Sequence, residues 1–334
     1  MEPCNSHPIN FDQRVSSCPA CASENIQHSV FKSIAGFMSL PDVTHDKCLD
    51  CSTVFVNPRP SRFDLEQFYI SQEMETKVTN EIIQSSVSRY FEAEKRLYFI
   101  ENRVKPITKY LHPRAKLVDA GCGSGVFVRF MRDCGYDAIG FDLSPSSVEI
   151  GRKYLNLDDY IRLSDYQEGL SNTSTYDAIT AWTVIEHLIE PTDFLRQCYQ
   201  ALKPKGLLLL EFPTVDSLLY EELEYAFFWV MPPYHLTLFS KSGIQKLLSR
   251  ENFEILEIYP MPKNWYFSDS VARKLGISLS SIVESHPRAK EIFREIDEIF
   301  DKIALKQDKS SSIQVICRKI DRMQNAKSRS SVLF

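Results

Sequence analysis

The feature that most constrains this chain is a glycine-rich turn at residues 119–125, with the sequence D-A-G-C-G-S-G. It follows an apolar run that is typical of a buried strand, and a segment with helical character comes after it. A strand that turns into a helix through glycines brings backbone N–H groups close to a ligand. The dinucleotide fingerprint G-x-G-x-x-G is not met, because Val126 occupies its third glycine position. The turn therefore predicts a nucleotide-like ligand other than a dinucleotide.

Asp119 lies two residues before the first of the three glycines, which are Gly121, Gly123 and Gly125. A carboxylate at this place repels a pyrophosphate and attracts an ammonium group. We therefore expect the ligand to carry an ammonium group, with the N–H groups of the turn directed at its carboxylate. The same two features, Asp119 and Val126, disfavour a nicotinamide-dependent oxidoreductase.

Strands and helices alternate after the turn, as a parallel α/β sheet requires. In such a sheet, ligands bind beyond the carboxyl ends of the strands, so acids at strand ends are candidate ligand contacts. Asp142 closes the second strand and can accept hydrogen bonds from both ribose hydroxyls of an adenosine. Asp165 follows the third strand and is expected to accept from the adenine amino group, with Leu143 and Ala181 flanking the ring. For each acid, the alternative is an ordinary strand-end or helix-capping role.

Two C-x-x-C pairs, Cys18/Cys21 and Cys48/Cys51, precede this sheet. Two such pairs can hold a metal ion with four thiolates, and four cysteines leave no open position for catalysis. We expect a structural zinc ribbon with short strands around it and a loop at residues 36–42. A redox role is disfavoured, because neither pair follows a strand and opens a helix. Unliganded cysteines are the remaining alternative.

The composition narrows the class of protein. The chain has 334 residues and a net charge of -5, which argues against a nucleic-acid partner. No apolar run reaches the ~20 residues that span a bilayer, and no secretory signal is visible at the N-terminus. Nine cysteines without such a signal indicate reduced thiols or metal ligands. We expect a cytoplasmic protein with no membrane contact, and the oligomeric state stays open.

The domain organisation follows from these patterns. A recurrence of apolar residues from Tyr90 to Val104 predicts one amphipathic helix that is interrupted at Pro106. It either covers the sheet or forms a lid that brings aromatic side chains such as Tyr69 or Tyr90 to a substrate pocket. The predicted segments are a flexible N-terminus (1–15), a zinc ribbon (16–60), a helical cover or lid (61–112), an α/β domain (113–319) with a helical insertion (264–308), and a flexible tail (320–334).

Residues 111–259 resemble the class I S-adenosylmethionine (SAM) dependent methyltransferases, particularly the branch of the ubiquinone-biosynthesis O-methyltransferases. The resemblance rests on the segments 118–125 (V-D-A-G-C-G-S-G), 140–144 (G-F-D-L-S), 186–188 (E-H-L) and 202–206 (L-K-P-K-G). The front end, residues 48–60, resembles the zinc ribbon that precedes this domain in many bacterial members, including enzymes of glycan or secondary metabolism. The resemblance implies a Rossmann-like sheet, mostly parallel with an antiparallel last strand, and SAM as methyl donor.

Some relatives carry E-x-x-E-H after the fourth strand, a cluster that can hold a divalent ion. Here Thr183 replaces the first acid, which makes a bound magnesium ion doubtful. The candidate catalytic residues are Glu186 and His187 in this segment, together with His235 in the aromatic-rich loop after the fifth strand. A histidine suits proton removal from an acceptor near neutral pH, but either one could equally shape the site.

The expected activity is methyl transfer to a small polar acceptor by O- or C-methylation, with a sugar or a secondary metabolite as one possibility. Two alternatives remain open at this point. One is a zinc-ribbon RNA methyltransferase, which the acidic balance disfavours. The other is a SAM-binding scaffold without catalysis, in which the two histidines carry no chemistry.

Overall fold

The computed structural model describes residues 9–33, 43–75, 80–262 and 266–320. The first eight residues, the loop expected at residues 36–42 and the tail beyond residue 320 lie outside the described residues. Within these ranges, no helix combines the length and the apolar character needed to cross a bilayer.

The chain begins with a small sheet around the paired cysteines. Its strands are β1 (Phe11–Gln13), β2 (Ile26–Ser33), β3 (Val43–Cys48), β4 (Val54–Val56) and β5 (Arg59–Pro60). β2, β3 and β4 pair antiparallel in that order, and β1 pairs with β5. Phe11–Gln13 falls inside the segment expected to be flexible, and that expectation is wrong for these three residues because they form a paired strand.

Four helices and a π-helical turn follow the small sheet. They are α1 (Arg62–Glu75), α2 (Asn80–Phe91), α3 (Ala93–Phe99), the π turn Ile100–Val104 and α4 (Lys105–Thr108). The single helix expected from Tyr90 to Val104 is wrong, because the backbone is extended at Glu92 and widens in the π turn. Each break changes the direction in which the following side chains point relative to the sheet. Leu97 of the predicted apolar stripe is therefore 60 % exposed, whereas Phe99 is buried.

A seven-stranded sheet forms the centre of the molecule. Its strands are β6 (Lys116–Ala120), β7 (Asp137–Asp142), β8 (Ile161–Leu163), β9 (Tyr176–Trp182), β10 (Leu202–Pro213), β12 (Phe253–Met261) and β13 (Ser312–Lys319). The helices between them are α5 (Val126–Asp133), α6 (Pro145–Leu155), α7 (Tyr166–Gly169), α8 (Pro191–Ala201), α9 (Leu218–Leu223), α10 (Lys241–Arg250), α11 (Phe267–Leu275), α12 (Leu279–Ser285) and α13 (Ala289–Lys306). The short strand β11 (Thr237–Leu238) lies outside this sheet. The strand order is β8-β7-β6-β9-β10-β13-β12, and β13 runs antiparallel to both neighbours. The predicted mostly parallel sheet with an antiparallel last strand is confirmed.

The two faces of this sheet are buried under separate apolar clusters. Alternate residues of one strand point to opposite faces, so Leu117 and Val118 of β6 belong to different clusters. The Val118 cluster also contains Cys48 and Phe55 of the N-terminal sheet. The cysteine-containing segment is therefore packed into the main core.

β11 extends the N-terminal sheet from the other end of the chain. Thr237 and Leu238 pair antiparallel with Phe55 and Val54 of β4, which gives the strand order β11-β4-β3-β2. This strand was not predictable, because two residues in an aromatic-rich loop are too few to show an alternation of apolar and polar residues. The pairing places the loop that contains His235 directly beside the N-terminal sheet.

Candidate active site

The glycine turn leaves an open surface at the carboxyl end of β6. All three glycines have positive φ values, between 53° and 75°. A Cβ on Gly121 would lie 2.6 Å from Val184 Cγ2, so this glycine allows a close approach of two loops. A Cβ on Gly123 would meet no protein atom within 4 Å. Gly123 therefore combines a left-handed backbone conformation, which glycine adopts readily, with an open side, as expected where a backbone faces a ligand.

Asp142 lies beside this turn at the end of β7. Its Oδ2 accepts a hydrogen bond from the Gly123 N–H at 2.7 Å, and its Oδ1 accepts from the Ser144 N–H at 2.9 Å. These two bonds orient the carboxylate at the edge of the turn. The geometry fits ribose recognition and also fixes the conformation of the turn.

Asp119 is 2 % exposed, and its Oδ1 accepts from Thr180 Oγ1 at 2.5 Å. Burial raises the pKa of this carboxyl to about 7, although the Thr180 hydrogen bond and the charge of Arg103 both lower it. A neutral Asp119 has little attraction for a cation, whereas an ammonium group beside it would restore the charged form. The position thus fits a ligand with an ammonium group.

The three residues expected to contact the adenine, Leu143, Asp165 and Ala181, differ in exposure and in hydrogen bonding. Leu143 is 62 % exposed at the same edge of the sheet. Asp165 caps α7, with its Oδ1 accepting from the Glu168 N–H at 2.8 Å, which is the alternative role considered for it. Ala181 is 1 % exposed inside the core and cannot flank an adenine, so that expectation is wrong.

A second polar cluster lies after β9, the strand next to β6 in the sheet. The 3-10 turn Ile185–His187 follows β9 and carries both Glu186 and His187. Tyr69 from α1 approaches His187, with its hydroxyl 3.2 Å from Nδ1. Burial raises the pKa of Tyr69 above its usual range, so the hydroxyl stays protonated and can donate to Nδ1 in the tautomer in which that nitrogen carries no proton.

His235 completes this cluster from the loop before β11. Its Nδ1 lies 2.7 Å from the Trp229 carbonyl oxygen, which can only accept, so Nδ1 carries the proton. The rings of His187 and His235 are perpendicular, with centroids 4.7 Å apart. Burial, with a contribution from His235, lowers the pKa of His187 well below its ordinary value. At neutral pH, His187 is therefore a neutral imidazole.

Glu186 is fully buried behind the two histidines. Its Oε1 lies 4.0 Å from His187 Nε2, close enough to stabilise an imidazolium once it forms. One donor atom from each of Glu186, His187 and His235 lies within 4.8 Å of the others, a spacing that also suits a metal ion. The structure therefore brings together all three residues proposed for catalysis.

The aromatic side chains near the site divide into two groups. The rings of Tyr69 and Tyr234 meet edge to face beside His187, with centroids 5.7 Å apart, so both can line an acceptor pocket. Tyr90 donates to Asp133 Oδ2 at 2.7 Å on α5 and does not reach the cluster. Of the two tyrosines that a lid might supply, only Tyr69 is at the site.

The four cysteines of the ribbon converge as the two C-x-x-C pairs predict. The Sγ atoms of Cys18 and Cys51 are 3.6 Å apart, and those of Cys21 and Cys48 are 3.5 Å apart. Zn–S bonds of ~2.3 Å in a tetrahedron imply sulfur separations of about 3.8 Å. The four thiols therefore fit a closed tetrathiolate zinc site.

Arg59 connects this ribbon to the histidine cluster. The side chain is 3 % exposed, and it donates to the Ile189 carbonyl oxygen at 2.6 Å and to Thr237 Oγ1 at 2.8 Å. Ile189 follows His187 by two residues, and Thr237 follows His235 by two residues. One guanidinium thus holds the two segments that carry the histidines.

The comparisons with known proteins agree with this geometry. The family model described as a methyltransferase domain matches residues 92–258. The chain belongs to this methyltransferase family. The predicted membership of the class I methyltransferases is confirmed, and SAM is the donor that this family uses.

Two relatives of this methyltransferase are ubiquinone-biosynthesis O-methyltransferases. The mitochondrial enzyme of Schizosaccharomyces pombe is 34 % identical over 102 residues, which cover 28 % of this chain and 36 % of that enzyme. The enzyme of Xanthomonas axonopodis pv. citri is 31 % identical over 121 residues, or 34 % of this chain and 47 % of that enzyme. The match thus spans less than half of either relative. Because these relatives include mitochondrial and bacterial enzymes, the cytoplasmic location stays a prediction.

A solved structure supports the fold. The complex between the Haloferax volcanii Trm112 methyltransferase activator and a methyltransferase contains a chain that matches with a TM-score of 0.50 and 15 % identity. The alignment covers 74 % of this chain and 99 % of that chain. At this identity, the likeness extends to the fold alone.

Two residues at the site of this methyltransferase were not assigned a role from the sequence. Arg59 is the first residue of β5, and its neighbours Ile189 and Thr237 are more than 100 residues away. Tyr69 was considered only as one of several lid aromatics. A tyrosine in a helix carries no sign that its hydroxyl reaches a histidine 118 residues later.

Proposed function

We propose that this protein transfers the methyl group of SAM to the hydroxyl group of a small acceptor. The observation that carries the proposal is the common position of two groups of residues. The glycine turn and Asp142 follow β6 and β7, and His187 follows the neighbouring strand β9, where it meets Tyr69 of α1 and His235, so both groups lie at the carboxyl edge of the sheet.

The donor half of the site holds SAM in this proposal. Asp142 accepts from the ribose hydroxyls, and the open side of Gly123 allows the backbone to approach the methionyl part. Asp119 in its charged form faces the ammonium group, and Leu143 contacts the adenine. Asp165 is proposed to accept from the adenine amino group with the oxygen that does not cap α7.

The acceptor half removes a proton. As the acceptor oxygen forms its bond to the methyl carbon, the bond from that carbon to the sulfonium breaks and its electron pair stays on sulfur. The Tyr69 oxygen takes the acceptor proton as the Tyr69 proton passes to His187 Nδ1. The carboxylate of Glu186 stabilises the imidazolium, and His235 fixes the ring from the other side.

The acceptor is proposed to be a small molecule. Glu186 and His235 are at most 5 % exposed, which leaves them out of reach of a large folded substrate. The two relatives are named as O-methyltransferases, which favours oxygen over carbon as the methylated atom. The ribbon and α1 surround the cluster and are the elements that select the acceptor.

We also propose that Cys18, Cys21, Cys48 and Cys51 hold a structural zinc ion. Three of the four are at most 3 % exposed and lie in the main core, where uncoordinated thiols at 3.5–3.6 Å would gain little from their neighbours. When bound, the zinc fixes the two cysteine turns. β4 and Arg59 can then position the loop that carries His235.

The test follows the label of SAM in a cell extract. Purified protein is incubated with methyl-labelled SAM and an extract that is separated into small molecules, glycan, RNA and protein. The wild type is expected to label the small-molecule fraction, and Asp142→Ala and His187→Gln are expected to lose that label. Label in RNA would assign the alternative RNA methyltransferase, and bound SAM without any transfer would assign the scaffold. A chelator that leaves the ribbon zinc in place should not lower the rate of methyl transfer. A lower rate would show that a metal ion bound by Glu186, His187 and His235 takes part in the reaction.

A further inference from the structure

The helix α13 has its polar and apolar faces reversed relative to an ordinary surface helix. Four isoleucines form an exposed stripe, at 55 % for Ile292, 39 % for Ile296, 58 % for Ile299 and 43 % for Ile303. On the opposite side, Asp297 and Asp301 are each 6 % exposed. A helix on the surface of a globular protein normally buries its apolar face. The exposed stripe therefore requires a different explanation from the packing within this chain.

The reversed orientation is held by specific contacts with α11. Asp297 Oδ1 accepts from the Ser268 N–H at 2.7 Å and from Ser268 Oγ at 2.8 Å. The rings of Phe267 and Phe300 stack with centroids 4.4 Å apart. These contacts prevent the helix from rotating to bury its isoleucines, so the stripe points outward in the folded protein.

The spacing of the stripe is that of a helix-pairing seam. The isoleucines recur at intervals of four, three and four residues, which keeps them on one side of a helix that supercoils with another. The eleven steps from Ile292 to Ile303 span about 17 Å at 1.5 Å per residue. This length offers roughly three helical turns of contact.

The charges along one flank of the stripe indicate which helix can cover it. The flank carries Glu291 and Glu295 in its first half and Lys302 and Lys306 in its second half, all exposed. A second copy of α13 in the antiparallel direction places the acidic half of each helix beside the basic half of the other. A parallel two-fold copy would instead place this charged flank beside the opposite flank, which carries Phe293 and Phe300 and offers no opposite charges. The macrodipoles of two antiparallel helices are also favourably arranged.

We propose that the protein forms a symmetric dimer in which the isoleucine stripes of two α13 helices pack antiparallel. Each contact then occurs twice, as a two-fold interface requires. The four isoleucines supply the apolar centre, and the Glu291/Glu295 and Lys302/Lys306 pairs supply the charged flank. The helical insertion before the last strand is in this proposal an oligomerisation element.

The insertion also contacts the loop that leads to the histidine cluster. Arg273 of α11 donates to the carbonyl oxygens of Phe227 and Val230 at 3.1 Å and 3.0 Å. The ring of Tyr266 lies 4.6 Å from that of Trp229, whose carbonyl accepts from His235. A dimer that stabilises α11 and α13 therefore supports the acceptor side of the site in each subunit.

The first experiment measures mass by sedimentation equilibrium. The wild type is expected to have twice the 38.6 kDa of one chain at micromolar concentration. Ile296→Glu/Ile299→Glu is expected to be monomeric with unchanged SAM binding and circular dichroism. Ile277→Glu makes the same change at another exposed isoleucine of the insertion and is expected to remain dimeric. A monomeric wild type, or a dimer that survives Ile296→Glu/Ile299→Glu, would overturn the proposal.

Charge exchange tests the direction of the helices. Glu291→Lys/Glu295→Lys and Lys302→Glu/Lys306→Glu should each weaken the homodimer, because each makes the whole flank one sign. The variant with all four exchanges should dimerise like the wild type, since acidic and basic halves again oppose each other. If that variant stays as weak as the two double variants, the antiparallel arrangement is wrong. A monomeric wild type that binds phosphatidylcholine vesicles through Ile296 and Ile299 would instead assign the stripe to a membrane surface.

Discussion

The donor half and the acceptor half of the proposed site meet at one edge of the sheet but are built in different ways. The donor half comes from β6, β7 and the turn between β6 and α5, and the hydrogen bonds that hold Asp142 against the turn join residues at most 19 positions apart. The acceptor half combines Tyr69, the turn after β9 and the loop before β11, and Arg59 ties it to the ribbon. A change in the ribbon should therefore alter the chemistry and leave SAM binding nearly intact.

The largest effect is expected for His187→Gln. Removal of a general base typically costs 10²–10⁴-fold in rate, so we expect kcat to fall by about this range while the Kd of SAM stays within about threefold. His286→Gln, at an exposed histidine far along the chain, is the matched control. Calorimetry and single-turnover kinetics measure the two quantities. A parallel loss of SAM affinity would show that the two halves are not separate.

The reaction rate should depend on pH through His187. Burial lowers the pKa of His187 well below its ordinary value of about 6.5, and the neutral form is the base. The rate should therefore fall only as the pH drops below that ordinary value, and it should be flat through neutral pH. A rate that still rises with pH above 7 would indicate a different proton acceptor.

Loss of the ribbon metal is expected to have the next largest effect. Cys48→Ser should lower the zinc content and reduce kcat by about 100-fold, which equals roughly 2.7 kcal/mol of transition-state stabilisation. The reason is that the ribbon positions β11 and Arg59 beside the histidine cluster. Cys134→Ser, at an exposed cysteine, should change neither quantity. Full activity in zinc-free protein would contradict the proposal that the ribbon metal positions the histidine cluster.

Arg59→Lys should reduce kcat by about tenfold, because an ammonium can replace only one of the two hydrogen bonds, each worth roughly 1.5–3 kcal/mol with a charged donor. A purely structural role would lower stability without moving the pH–rate profile. We expect the acid limb of that profile to shift, since the environment of His187 changes with the position of Ile189. Arg62→Lys, three residues later and exposed, should leave the profile unchanged.

The smallest effect concerns Asp119. Its pKa is raised to about 7 by burial, and an ammonium group favours the charged form. Binding of SAM should therefore release a proton below that pH, and the Kd should rise by at most a factor of about 10 for each pH unit lost. Asp119→Asn should abolish this dependence. Calorimetry in buffers of different ionisation enthalpy counts the protons, and a count of zero at pH 6 would exclude the role of Asp119.

The donor half was more predictable from the sequence than the acceptor half. The strand ends and Asp142 were predictable, because a turn motif and an apolar period are local properties of neighbouring residues. The four cysteines were predictable for the same reason. Tyr69 and Arg59 were not, since their partners are brought close only by tertiary packing. The break at Glu92 was missed because the helical spacing of the apolar residues continues across Glu92, although its backbone is extended.

The most direct test of the donor half is calorimetry of SAM with Asp142→Ala and Asp137→Ala. The two acids lie at opposite ends of β7, and Asp137 is exposed at the end away from the glycine turn. We expect Asp142→Ala to weaken SAM binding by at least about 100-fold, the cost of two hydrogen bonds to a charged group at roughly 1.5–3 kcal/mol each, and Asp137→Ala to bind like the wild type. Undiminished binding by Asp142→Ala would contradict the assignment of the SAM site.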